Sequence, residues 1–211
     1  MLKRFLSEHH IPLTNSIACA SDGAPSMVGR HRGFSSLLKR EISHQILTVP
    51  CVIHRQHLVA KNINGWLNDP LLLVIKTVNK LKSNSLSDRI FRQLCLDNDD
   101  DFVRLLYHTE VRWLSKSNCV VRFVKLFHVI ISFSESTLLS ASLIAAKRDI
   151  FCLSDIFTKF NDLIKLLQGK QKILVDCKSF ITAFISKLVL YKINISKRQL
   201  HQFLQLDSLK D

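Results

Sequence analysis

Carboxylates are the scarce resource in this chain. Seventeen Asp and Glu face thirty Lys and Arg across 211 residues, which leaves a formal net charge of +13 and a pI of about 9.7. Such an excess favours nucleic acid or another acidic surface as a partner, although the cations are spread along the chain rather than gathered in one run. Internal repeats and low-complexity segments are absent, and a hydrophobic content of 47% with a mean hydropathy of +0.14 argues against disorder. The opening Met1-Leu2-Lys3-Arg4-Phe5-Leu6 turns polar at once and shows no signal-peptide pattern. The six cysteines, mostly set in apolar stretches, are therefore expected to be reduced and buried in an intracellular protein. One stretch, Val129 to Ala146, carries a single charge, Glu135. Its serines and amphipathic flanks point to a packed helix rather than a membrane span, so no membrane partner is expected.

What is present falls into two parts. Leu2 to His9 reads as a helix that stops before Ile11-Pro12. Ser16 to Ala20 reads as a short buried strand, Pro25 to about Glu41 as a basic helix, and Ile46 to Ile53 as a second, β-branched strand leading into a helix at His54 to Ala60. Strand, helix, strand makes one βαβ unit with two parallel neighbours. Two strands alone leave both edges open and bury too little face, so further strands are expected from a partner or a longer protein. After Gly65-Trp66 the strand signals end. Amphipathic helices are expected at Pro70 to Leu81, at Ser87 to Leu96 with Ser87 as cap, at Ser117 to Ser134, at Leu138 to Leu167 with Gly169 as terminator, and at Lys172 to Lys192. The fold class is mainly α with a small α/β part, divided at 1–65 and 66–211.

Three local constellations carry chemistry. Asp22 ends the first strand, followed by Gly23 and by Pro25 at a helix start. That placement suits a metal-binding catalytic carboxylate and suits a plain helix cap equally. Cys51-x-x-His54, with His57 one turn further on, offers one zinc-type pair. No second pair follows at finger spacing and no oxyanion-hole signature accompanies a Cys-His dyad, so packing at the strand-to-helix junction is expected. The third runs from His108 to Ser115 and holds Glu110, Arg112 and Trp113. The acidic group Asp97, Asp99, Asp100, Asp101 lacks the loop glycine and closing Glu of an EF-hand, and is expected to be solvated at a helix amino terminus.

The order of these pieces resembles the hAT superfamily of DNA transposases. The matching stretches are Cys19 to Met27, Cys51 to Asn62, Arg89 to Cys95, Leu105 to Lys116, Leu153 to Phe157 and Leu167 to Gly169. The likeness is closest to host-domesticated members such as zinc finger BED domain-containing protein five, SCAN domain-containing protein three and the FAM200 proteins. It implies a partial RNase H-like catalytic fold at 1–65 followed by an all-helical insertion domain at 66–211. In that family three acidic residues hold two divalent metals for DNA strand cleavage and joining. Asp22 matches the second of them. The first and third match positions outside this chain, and Glu110 falls within the insertion segment. Cys51 and His54 belong to the family motif. Arg112-Trp113 matches a pair whose tryptophan stacks on DNA, against which stands a plain role for Trp113 in the bundle core.

Two functions follow from these expectations. In the first, the chain is an internal, nonenzymatic transposase-derived fragment without cofactor, nuclear (or cytoplasmic), with residual non-specific DNA binding through Arg30, Arg32, Lys39, Arg40, Arg112 and Trp113. In the second, it is a subunit or isoform of an active magnesium-dependent DDE-type transposase or nuclease, its other acidic residues lying elsewhere. A weaker third option is a helical interaction module, binding a protein partner or a second copy through Leu138 to Tyr191.

Overall fold

The computed structural model describes residues 2–51, 65–107, 113–134, 138–168 and 173–210. The chain is mainly helical, with one two-stranded parallel sheet among the described residues, and it divides into two compact units, Met1–Asn62 and Ile63–Asp211.

In the first unit α1 (Leu2–Glu8) precedes β1 (Ala18–Ser21), two short helices α2 (Pro25–Val28) and α3 (Phe34–Glu41), and β2 (Leu47–Pro50). The strands run parallel in the register Ala18 to Leu47, Cys19 to Thr48, Ala20 to Val49 and Ser21 to Pro50. The expected crossover is therefore present, but its helix is broken in two. Gly29 and Gly33 make the break: a Cβ at Gly29 would meet the Pro25 carbonyl oxygen at 2.5 Å, and one at Gly33 would meet the Gly29 nitrogen at 2.3 Å. Only residues without side chains allow the backbone to approach itself this closely. The first strand is not buried as expected. Ile17 beside it is 78% exposed and Leu47 61%, because a two-stranded sheet covers neither of its own faces.

The second unit supplies its own core. It contains α4 (Asn68–Ser83), α5 (Ser85–Asp97), α6 (Trp113–Lys125), α7 (Phe127–Phe133), α8 (Leu138–Ala145), α9 (Lys147–Leu167), α10 (Leu174–Ser196) and α11 (Leu204–Asp207). Helix α4 buries Leu71, Val74, Val78 and Leu81, the spacing of one helical face. Helix α9 is the hub and packs on α4, α6, α10 and α11, burying Ile150, Leu153, Phe157 and Ile164 to 1% exposure or less. Phe127 bridges the middle edge-to-face, its ring centroid 6.2 Å from that of Phe123 and 5.4 Å from that of Phe151. Each such side chain contributes about 1.5–3 kcal/mol by leaving water.

Several boundaries differ from expectation. The cap of α5 is Asn84, whose Oδ1 accepts the Leu86 N–H at 2.9 Å and the Ser87 N–H at 3.4 Å, so the helix starts two residues before Ser87. The single helix expected over Ser117 to Ser134 is two, α6 and α7, separated at Leu126, and Ala146 likewise separates α8 from α9. The acidic group lies at the carboxyl end of α5 instead of opening a helix. Asp99 takes a left-handed conformation (φ 52°), while the Asp100 N–H reaches the Cys95 carbonyl at 3.1 Å and the Asp99 N–H the Leu96 carbonyl at 3.1 Å. This is a Schellman termination on a non-glycine residue, and His10 (φ 54°) and Arg198 (φ 57°) end α1 and α10 in the same way. Beyond it, residues 102–107 are non-helical. Tyr107 Oη donates to the Lys82 carbonyl at 3.0 Å, and the Arg122 guanidinium lies 3.5 Å from the centroid of the Phe102 ring. The terminator expected at Gly169 lies outside the described residues.

Candidate nucleic-acid interface

The described lysines and arginines of the first unit fall into two sets. Lys3 bonds to Glu41, and Arg4 Nε donates to Glu8 Oε1 at 2.9 Å. Arg30, Arg32, Lys39 and Arg40 are exposed and form no ion pair among the described residues. Arg30 and Arg32 sit on the turn between α2 and α3 that the paired glycines permit. Lys39 and Arg40 occupy the last turn of α3, where the negative end of the helix dipole favours positive charge. Ser36 Oγ donates to the Gly29 carbonyl at 2.9 Å and ties α3 to that turn. The result is four charges held on short, locally braced elements with their heads in solvent. Their chemistry suits phosphate: guanidinium forks for bidentate contact and an ammonium as a point charge.

Asp22 follows β1 at the carboxyl end of the parallel pair and is exposed. Its Oδ1 accepts the Ala24 N–H at 3.2 Å, forming a tight turn one step before α2. The N-cap of α2 is Ala24 and that of α3 is Gly33, so Asp22 caps neither helix directly. Among the described residues no group of three or more His, Cys, Asp or Glu is arranged to hold a metal. One exposed carboxylate already engaged by a backbone N–H does not fit a two-metal site, which needs converging carboxylates. Cys51 is half-buried and its N–H continues the sheet ladder to the Ser21 carbonyl at 2.8 Å. His54, His57, Glu110 and Arg112 lie outside the described residues. Trp113 opens α6, and its side chain lies outside them too.

In the helical unit the structure assigns roles that sequence reasoning left open. The Asp155 carboxylate, from the middle of α9, accepts the N–H groups of Gln205 at 3.1 Å and Leu206 at 2.9 Å, and so caps α11 from fifty residues away. Burial raises its pKa above the usual carboxylate value, against the two backbone bonds and Lys159, which lower it. Lys159 bonds to the Gln202 carbonyl and lies 4.6 Å from the centroid of Tyr191 and 4.9 Å from that of Phe203. Burial lowers its pKa, partly offset by Asp155. Within the Leu153 to Phe157 stretch, which matches a family motif, Asp155 thus fastens the last helix. Of the six free cysteines, Cys95, Cys119 and Cys152 are buried, and burial pushes each thiol up to about 11, while Cys19, Cys51 and Cys177 are half-buried. No helix of the described residues is long and apolar enough to cross a membrane.

Fold and surface together define a basic, mainly helical protein with a short parallel α/β unit at its amino-terminal end. The family model for the FAM200/GTF2IRD2 helical domain matches residues 50–196, and the chain belongs to this FAM200/GTF2IRD2-like family. It is 27% identical to General transcription factor II-I repeat domain-containing protein 2 of Bos taurus over 216 aligned residues, covering 99% of this chain and 22% of that protein. To the Mus musculus protein of the same name it is 27% identical over 217 aligned residues, covering 99% of this chain and 23% of that one. The chain thus spans less than a quarter of the length of the curated relatives it matches. No solved structure matches it.

Proposed function

We propose that this chain is a nonenzymatic polypeptide derived from a hAT-type transposase that binds DNA without sequence preference in the nucleus. The observation that carries the reading is the set Arg30, Arg32, Lys39 and Arg40, exposed and without ion pairs among the described residues, in a chain of net charge +13. The first unit is read as a remnant of an RNase H-like domain, with its βαβ crossover and Asp22 in the place of an inherited catalytic carboxylate. Arg112 and Trp113, by their match to the family's arginine-tryptophan pair, are assigned a second contact in which an aromatic ring stacks on an unpaired base. Membership of a family whose relatives are named as transcription-factor repeat proteins supports the nuclear placement.

Titration of labelled duplex DNA at several salt concentrations tests it. Affinity is expected to fall steeply with salt, and replacing Arg30, Arg32, Lys39 and Arg40 by Ala should flatten the log–log slope by about 0.9 for each phosphate contact removed. Binding that ignores salt, or survives the fourfold substitution unchanged, would overturn the reading. The rival function, a subunit of an active DDE-type enzyme, draws on the fact that the relatives are more than four times longer. It predicts magnesium-dependent nicking by the longer protein that Asp22→Asn abolishes.

A further inference from the structure

Helix α10 carries apolar side chains on every side, interspersed with a few charged ones, a composition that ordinarily marks a largely buried helix. Yet of its described side chains only Asn194 is buried, while Ile185 and Val189 are each 56% exposed and Leu188 is 40% exposed. On its inner side α10 does not close against α9. Two grooves, of about 330 and 250 Å³, lie along the seam and share Lys159, Phe184 and Tyr191, so they run into one another. From Phe180 to Ile195 they follow α10 for about 20 Å, at 1.5 Å per residue, which is some four turns of helix. The walls are apolar and aromatic: Phe160 faces Phe184 at 5.1 Å, and Leu188, Tyr191 and Ile195 continue the line.

The rim decides what fits. Lys187 and Lys192 line the grooves, are exposed and form no ion pair among the described residues. The one lining carboxylate, Asp162, already has Lys165 at 3.9 Å. A second copy of a +13 chain would bring like charge to that rim. We propose that the α9–α10 groove docks an acidic amphipathic helix of a partner protein, about four turns long. Its apolar side chains at i, i+4 and i+7 enter the groove, and its Glu or Asp side chains pair with Lys187 and Lys192. None of the groove's lining residues is among those assigned to DNA.

Fluorescence anisotropy on the full chain tests it, with a labelled sixteen-residue helical peptide carrying Leu and Phe at those spacings and Glu on its flanks. The control peptide has every Glu replaced by Lys. The acidic peptide should bind about tenfold or more tightly than the control at low salt, with the gap narrowing as salt rises. Leu188→Glu should weaken the acidic peptide about tenfold, and the Lys187→Glu/Lys192→Glu pair should reverse the preference. All three positions are exposed, and circular dichroism confirms that each variant folds. Two peptides that bind alike, or an acidic peptide that does not bind, would overturn the proposal. So would light scattering that shows a dimer abolished by Leu188→Glu, since a second copy would then occupy the face.

Discussion

The two units bury their apolar side chains to different degrees. The first leaves Phe5, Ile17 and Leu47 more than half exposed, whereas the helical unit takes Val74, Val78, Phe123, Ile130 and Phe157 out of solvent altogether. The difference lies in what each architecture needs. A helix presents one apolar stripe, and a few helices packed on one another cover all of their stripes. A sheet has two faces and two edges, and a two-stranded sheet covers none of them. The contrast also runs inside the helical unit. Helix α9 buries eleven residues, while α10, two residues longer, rests on it without closing the seam.

Removing a fully buried core ring breaks the comparison hardest. Phe123→Ala should destabilise the helical unit by about 3–5 kcal/mol in urea melts, through lost transfer energy and a cavity. Asp155→Ala should cost about 1–2 kcal/mol, the worth of a helix cap, with hydrogen exchange at the Gln205 and Leu206 amides speeding up before the rest of the unit. Its titration has a definite sign. Burial raises the folded-state pKa, so the contribution of Asp155 is full below the ordinary carboxylate range and is lost as pH rises through the raised folded-state value. The penalty for Asp155→Asn should therefore be larger at pH 3 than at pH 7. Thiol labelling sharpens the comparison without any substitution. Cys19, Cys51 and Cys177 should react first, and Cys95, Cys119 and Cys152, buried and pushed up to about 11, only as the helices open. Smallest of all, Ile17→Ala should shift stability by no more than about 0.5 kcal/mol, because its side chain is already in solvent.

How much was readable followed from range. The stripe Leu71, Val74, Val78, Leu81 announces α4 because the helical period is written into neighbouring residues. The parallel pairing of the strands follows from the intervening helical segment, too long for a hairpin. The interruptions at Leu126 and Ala146 had no glycine or proline to signal them. The left-handed Asp99 turned the acidic group into a helix end, although aspartate tolerates that conformation only as a minority habit. Of the candidate interface, Arg30, Arg32, Lys39 and Arg40 were nameable from charge. That they differ from Lys3, which meets Glu41 thirty-eight residues away, in lacking an ion pair among the described residues is visible only in the fold.

By itself the sequence determined the helical character of residues beyond Trp66, the βαβ order before it, the excess of positive charge and the family to which the chain belongs. Those are properties of local periodicity, composition and motif order, and they survive whatever the chain packs against. Tertiary structure alone decided that Asp155 caps a helix fifty residues away, that Asp22 closes a turn instead of a helix, and that α10 keeps an apolar groove open beneath two unpaired lysines. Each of these depends on which distant group arrives beside a side chain, and burial and pairing are set by that neighbour rather than by the residue's own chemistry.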